Sequence, residues 1–160
     1  MYLLQYERAV YAWLRASVLL QRVRALAGFG LAGGASSPPN APPGTAPPLA
    51  APPLGGDEVL GTVYLDLLSL RARSVDTVRR LGAGQTVGPE ASADKLLLGA
   101  CEQSVYDAAR LLLGPRFLFG EAGRPWREDW WFSRTTTIYG GSAEVQRGII
   151  ADRVLKLPKD

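Results

Sequence analysis

Two stretches of this 160-residue chain hold residues whose type and spacing could do chemistry. The first is LLQYER, residues 3–8, in which Glu7 follows Leu3 and Leu4 by one helical turn and precedes Val10, Tyr11 and Leu14. On a helix this spacing puts the carboxylate at the edge of an apolar stripe. Desolvation there disfavours the charged form and raises the pKa toward the range where a carboxylate abstracts protons. The bland alternative is a glutamate near a helix N-terminus, complementing the dipole. The second stretch is TTTIYGGSAEVQRGIIADRVLKLP, Thr135 to Pro158. A Gly140–Gly141 pair leading into a Ser-capped helix leaves backbone N–H groups facing outward at the positive dipole end, which suits a pyrophosphate or a carbonyl oxygen. A simple turn plus cap uses the same residues.

The residues the chain lacks exclude other mechanisms. There is no histidine and a single cysteine, Cys101. Ser-His-Asp and Cys-His nucleophiles, an HExxH zinc site, a disulfide and a thiolate metal cluster are therefore ruled out, and no metal centre is expected. What remains is chemistry by carboxylates, hydroxyls, backbone groups or a bound cofactor. A net charge of +3 is too small to argue for nucleic acid. No run of about 18 apolar residues marks a membrane span, and the first residues lack the layout of a signal peptide. The expectation is a soluble cytoplasmic protein that engages neither membrane nor nucleic acid.

The elements that must position these residues read as helices. Tyr2 to about Ala27 contains no Pro or Gly, and Arg8, Arg15 and Arg22 recur every seven residues, which predicts a solvated stripe opposite Leu3, Leu4, Leu14 and Val18. A second helix, 58–82, starts at Asp57 and Glu58 and carries Leu60, Val63, Leu67 and Leu70 inward. A third, 92–114, is capped by Ser92, ends before Pro115, and turns Leu97, Cys101, Ala108 and Leu111 to the core. The last, 142–157, begins at Ser142 and buries Val145, Ile149, Ile150 and Val154. These four segments, with no convincing alternating strand, predict an all-α antiparallel four-helix bundle. Phe117 to Ile138, with Trp126, Trp130 and Trp131, reads as a long aromatic-rich connection packed over the bundle or an interface. Eight of the 12 prolines fall between Pro38 and Pro53, so residues 29–56 read as a Pro/Gly/Ala-rich linker. A low-complexity insertion and a ligand for an SH3-like groove are both open for it.

The run IYGGSAEVQRGIIADRVLKLP closely resembles the C-terminal signature of the acyl-CoA dehydrogenases. SADKLLLGACEQSVYDAARLLLG is similar to that family's penultimate helix, and LLQYER resembles the opening of the first helix of its C-terminal domain. The resemblance implies α,β-dehydrogenation of an acyl-CoA thioester to the 2-enoyl-CoA, with a glutamate as α-proton base and FAD as hydride acceptor. It also implies an electron-transfer flavoprotein as the onward acceptor and association with other dehydrogenase subunits. Many members place the base in an I-Y-E-G segment, where this chain has Gly140. A second group, resembling the isovaleryl and long-chain enzymes, places it in a Glu-Arg pair on the first helix of the domain, which Glu7 and Arg8 match. Carried over by position, Gly141 lies against the substrate thioester, while Ser142 and Glu144 contact FAD. For Glu144 the role of a first-turn dipole residue stays open, and for Gln146 and Arg147 a surface or interface place.

The family's Arg-x-x-Phe-Gly segment has only an echo here, in Gly28–Gly34, and nothing in the chain corresponds to the family's N-terminal helical and middle β domains. The resemblance thus implies a C-terminal fragment, a split subunit or a truncated copy, inactive without those domains. The alternative is a non-catalytic helical subunit that pairs with a complete dehydrogenase chain.

Overall fold

The computed structural model describes the backbone of residues 2–31 and 55–158 and the side chains of 10–26, 55–121 and 123–158. The Pro-rich stretch from residue 32 to 54 and the side chain of Glu7 lie outside the described residues. Among the described residues six α-helices follow one another: α1 (Tyr2–Leu31), α2 (Gly56–Gly82), α3 (Ala91–Leu113), α4 (Pro115–Phe119), α5 (Arg124–Thr135) and α6 (Ala143–Ile149). There is no strand among the described residues. The all-α bundle expected from periodicity is the fold, and no described helix is long and apolar enough to cross a membrane.

α2 shows how the sequence dictates its element. Asp57 and Glu58 occupy its first turn and Arg79 and Arg80 its last, each sign matched to the facing end of the dipole. Val63, Leu67, Leu70, Ser74 and Thr77 recur at intervals of three and four and are the buried face. Each fully buried Leu on that face stabilises the fold by roughly 1.5–3 kcal/mol. α3 turns Leu98, Cys101, Val105, Ala108, Ala109 and Leu112 to the same core. α3 ends at Gly114, whose φ of 51° reverses the chain, and Pro115 then opens α4. A 3-10 turn, Gly88–Glu90, leads into α3, so Ser92 is buried inside the first turn and is not its cap.

Three expectations are corrected. The first concerns α1, whose core face is Ala12, Ala16, Leu19, Leu20, Val23 and Leu26, while Leu14 and Val18 are exposed. Arg15 and Arg22 do not form a solvated stripe: they pair with Glu102 of α3 and Asp129 of α5. Small alanines let α1 approach α3 closely enough for the arginines to reach those carboxylates. The second concerns Phe117–Ile138, which is mostly helical. Pro125 stands in the first turn of α5, where its missing N–H costs nothing, and Trp126 is buried in the core with Trp130 packed against it. The third concerns the inward faces of the other helices. Leu97 and Leu111 of α3 are exposed, as are Val145 of α6 and Val154 of the π-helical turn Ile150–Val154 that continues it. The α5 helix, not α6, completes the packing around α3.

Candidate functional site

α6 and the turn before it carry the second chemical stretch. Gly140 and Gly141 have φ of 68° and 102°, the left-handed region that favours glycine. A Cβ at Gly140 would meet the Lys95 Cε at 3.3 Å. Ser142 is the N-cap: its Oγ accepts a hydrogen bond from the Val145 N–H at 3.4 Å. The Glu144 carboxyl is held below the usual carboxylate range, first by its own backbone N–H, then by the Ser142 side chain, with Arg147 adding a smaller pull. Arg147 lies 3.8 Å from Glu144 with both side chains exposed. Glu144 thus fills the first-turn dipole role in this structure. Gln146 is not a surface residue: it is fully buried, and its Nε2 donates to the Gly140 carbonyl at 3.2 Å.

The turn is held from two other elements, α3 and α1. From α3, the buried Lys95 donates through Nζ to the Thr136 carbonyl and lies 4.9 Å from the centre of the Tyr139 ring. Also from α3, the fully buried Glu102 accepts the Thr136 hydroxyl on Oε2 at 2.6 Å. From α1, the Tyr11 and Tyr139 hydroxyls are hydrogen-bonded at 3.2 Å, their rings edge to face with centroids 6.2 Å apart. Arg15 donates to the other oxygen of Glu102, Oε1, through Nε at 2.7 Å and also through Nη2. A second branch runs from Arg15 Nη2 to the Tyr106 hydroxyl at 3.4 Å, from that hydroxyl to Asp129 Oδ2 at 3.3 Å, and from Arg22 to the same oxygen. Burial pushes the Tyr106 hydroxyl up to about 12. It also raises Tyr11, with the Tyr139 hydrogen bond acting in the same direction.

A groove of about 410 Å³ opens between α3 and α6, with Lys95, Gln103, Thr137, Gly141 and Arg147 in its wall. Its size is that of a small-ligand pocket. Of the residues singled out in the sequence, Gly141, Ser142 and Glu144 are brought together at this end of the bundle. Glu7 lies on α1 one turn before Tyr11, the residue that touches the same turn. Among the described residues no group of His, Cys, Asp and Glu could hold a metal ion. Sequence reasoning missed Lys95, Glu102, Thr136 and Arg15. The signal was present in α3, where Lys95 and Glu102 continue the three-and-four spacing of Leu98, Val105 and Ala109, which puts two charges on a stripe that is otherwise apolar.

The model of the acyl-CoA dehydrogenase C-terminal domain matches residues 55–155, and the chain belongs to that family. The acyl-CoA dehydrogenase IpdE1 of Mycolicibacterium smegmatis is 60% identical over 35 residues, 22% of this chain and 9% of that protein. IpdE1 of Mycobacterium tuberculosis is 57% identical over 35 residues. The matched stretch therefore spans under a tenth of either relative. A solved chain of the electron transferring flavoprotein of Acidaminococcus fermentans has the same fold with a TM-score of 0.69 at 14% identity, covering 96% of this chain and 37% of that one.

Proposed function

We propose that this chain is the helical-bundle part of an FAD-dependent acyl-CoA dehydrogenase that converts an acyl-CoA thioester to the 2-enoyl-CoA, with Glu7 removing the α proton. The observation that carries this reading is the Tyr11–Tyr139 contact. Tyr11 lies four residues after Glu7, about 6 Å along the helix and on the same face. Tyr139 immediately precedes Gly140, the position that carries no carboxylate in this chain. A base carried on α1 one helical turn before Tyr11 would serve the turn that lacks one.

Gly141 offers its peptide group to the thioester, since its left-handed φ and missing Cβ leave the backbone open to a ligand. The fit to a flavin rests on Ser142 and Glu144: both stand at an accessible helix N-terminus beside the groove, one as cap and one as exposed carboxylate. They would hold FAD together with residues of the family's other domains. FAD supplies the hydride acceptor when bound. Electrons pass on to an electron-transfer flavoprotein, and exposed apolar residues of α1 such as Trp13 and Leu14 suit association with further dehydrogenase subunits. The cytoplasm is the proposed compartment.

The test is Glu7→Gln in the flavin-loaded enzyme that contains this chain. Turnover of acyl-CoA should fall by on the order of 10²–10⁴-fold, the usual contribution of a positioned base, while the flavin absorbance is unchanged. Undiminished turnover would remove Glu7 as base and favour the reading of a non-catalytic subunit.

A further inference from the structure

Glu102 of α3 touches both α1 and the turn, and it does so with separate oxygens. Oε1 takes Arg15 from α1 and Oε2 takes Thr136 from the turn. It is 0% exposed, so the two bonds operate without competition from water. Thr136 is also fully buried, and its carbonyl is held by Lys95 from the same face of α3. A carboxylate is the group this geometry requires, because an acceptor is needed on each side: Arg15 can only donate, and Thr136 uses its single proton toward Glu102.

We propose that Glu102 is a positioning residue: by bridging Arg15 and Thr136 it sets the spacing between Glu7 on α1 and the Gly140–Gly141 turn. This rests on the reading of Glu7 as the base. Without the bridge α1 and the turn are still joined by the Tyr11–Tyr139 bond, but that bond lies nearer the surface than the Glu102 bridge and competes with water. The buried bridge is therefore the part that fixes the distance, and the tyrosine pair reports it.

The test uses Thr136→Val, which removes the hydroxyl and keeps the shape, with Thr136→Ser as the conservative variant that restores the donor. The amides of Ile138, Tyr139 and Ala143 are hydrogen-bonded within the turn, to Thr135 and Thr137 carbonyls. Their hydrogen exchange, resolved by NMR in the 160-residue chain, should accelerate at least tenfold more than that of the Leu67 and Leu70 amides in Thr136→Val, and return toward wild type in Thr136→Ser. In the flavin-loaded enzyme Thr136→Val should lower kcat and leave KM unchanged, again with recovery in Thr136→Ser. Exchange that rises by one common factor in turn and core, or does not rise in the turn, overturns the bridge whatever Glu7 does. A loosened turn together with full turnover in Thr136→Val overturns its positioning role. Full turnover in Glu7→Gln overturns the base reading, while the exchange result still decides whether the bridge exists.

Discussion

Replacing Arg15 by Met would leave the Glu102 carboxylate buried without the cation that is hydrogen-bonded to it. Arg15 makes two hydrogen bonds to Oε1 and a third to the Tyr106 hydroxyl, and Glu102 itself has no exposed surface. Removing one partner of a fully buried pair typically costs about 3–5 kcal/mol, because the remaining charge has lost its compensation. The Arg15 side chain retains 19% exposure. Water can therefore follow the vacated guanidinium toward Oε1, which brings the expected loss to about 2–3 kcal/mol. For a chain of this size, each kcal/mol moves the thermal midpoint by roughly 2–4 °C, so a fall of about 5–10 °C is expected. Urea unfolding followed by far-UV circular dichroism should show a lower midpoint at unchanged slope. Arg124→Met is the control, since it breaks a pair of exposed side chains and should leave the midpoint where it is. The double variant Arg15→Met with Glu102→Leu should recover at least half of the loss, because it removes the stranded charge and Thr136 still has the Tyr139 hydroxyl at 3.3 Å. An unchanged midpoint in Arg15→Met, or a double variant worse than the single, would refute the account of Glu102 as a charge that depends on Arg15.

Three further outcomes follow, from the backbone, from a buried hydroxyl and from a buried thiol. Gly140→Ala should destabilise by about 1–2 kcal/mol, the cost of a left-handed φ for a residue with a Cβ, because that Cβ also meets Lys95 at 3.3 Å. Gly61→Ala in mid-α2, where a Cβ would meet nothing within 4 Å, should instead stabilise by roughly 0.5–1 kcal/mol; equal effects in thermal unfolding would contradict the assignment. At alkaline pH, the unfolded chain loses tyrosine protons near pH 10 whereas folded Tyr106 keeps its own to about 12, chiefly through burial. The folded state then binds more protons, so the contribution of Tyr106 to stability is intact below about pH 10 and declines as pH rises toward 12. Thermal midpoints should fall across that window while the tyrosinate absorbance rises. Burial likewise pushes the Cys101 thiol up to about 12, so a disulfide reagent at pH 8 should react with it only as fast as the chain unfolds.

The parts of the fold that are local in sequence were legible as such. Dipole-matched ends and three-and-four spacing define α2, and the Ser142 cap after two glycines with positive φ defines the start of α6. α1 was misjudged because it carries apolar residues on both sides, so periodicity alone does not say which side faces the core. Its arginines decide the matter through partners 87 and 107 residues away, Glu102 and Asp129, and no local pattern reports such a pairing. α5 was hidden differently. Its aromatic content suggested a packed loop, while the informative residue was Pro125, which breaks a helix interior but opens a first turn. Pro115 does the same for α4, ending one helix and starting the next.

For the site, the sequence showed a glycine at position 140 and left open what that glycine does to its surroundings. The packing supplies the missing half. The stem of Lys95 lies where a side chain at 140 would begin, and its ammonium is already committed to the Thr136 carbonyl and the Tyr139 ring. A glutamate at 140 would press on that stem, its Cβ 3.3 Å from Cε, and would also hold a left-handed backbone, at about 1–2 kcal/mol for the backbone alone. Glycine at 140 therefore suits both the left-handed backbone and the place of the Lys95 stem. Any carboxylate that serves this end of the bundle must come from another element. Of the elements that touch the turn, α3 offers Glu102, whose two oxygens are occupied, and α6 offers Glu144, which is bound to its own first turn. α1, which reaches the turn through Tyr11, carries Glu7 one helical turn further along the same face.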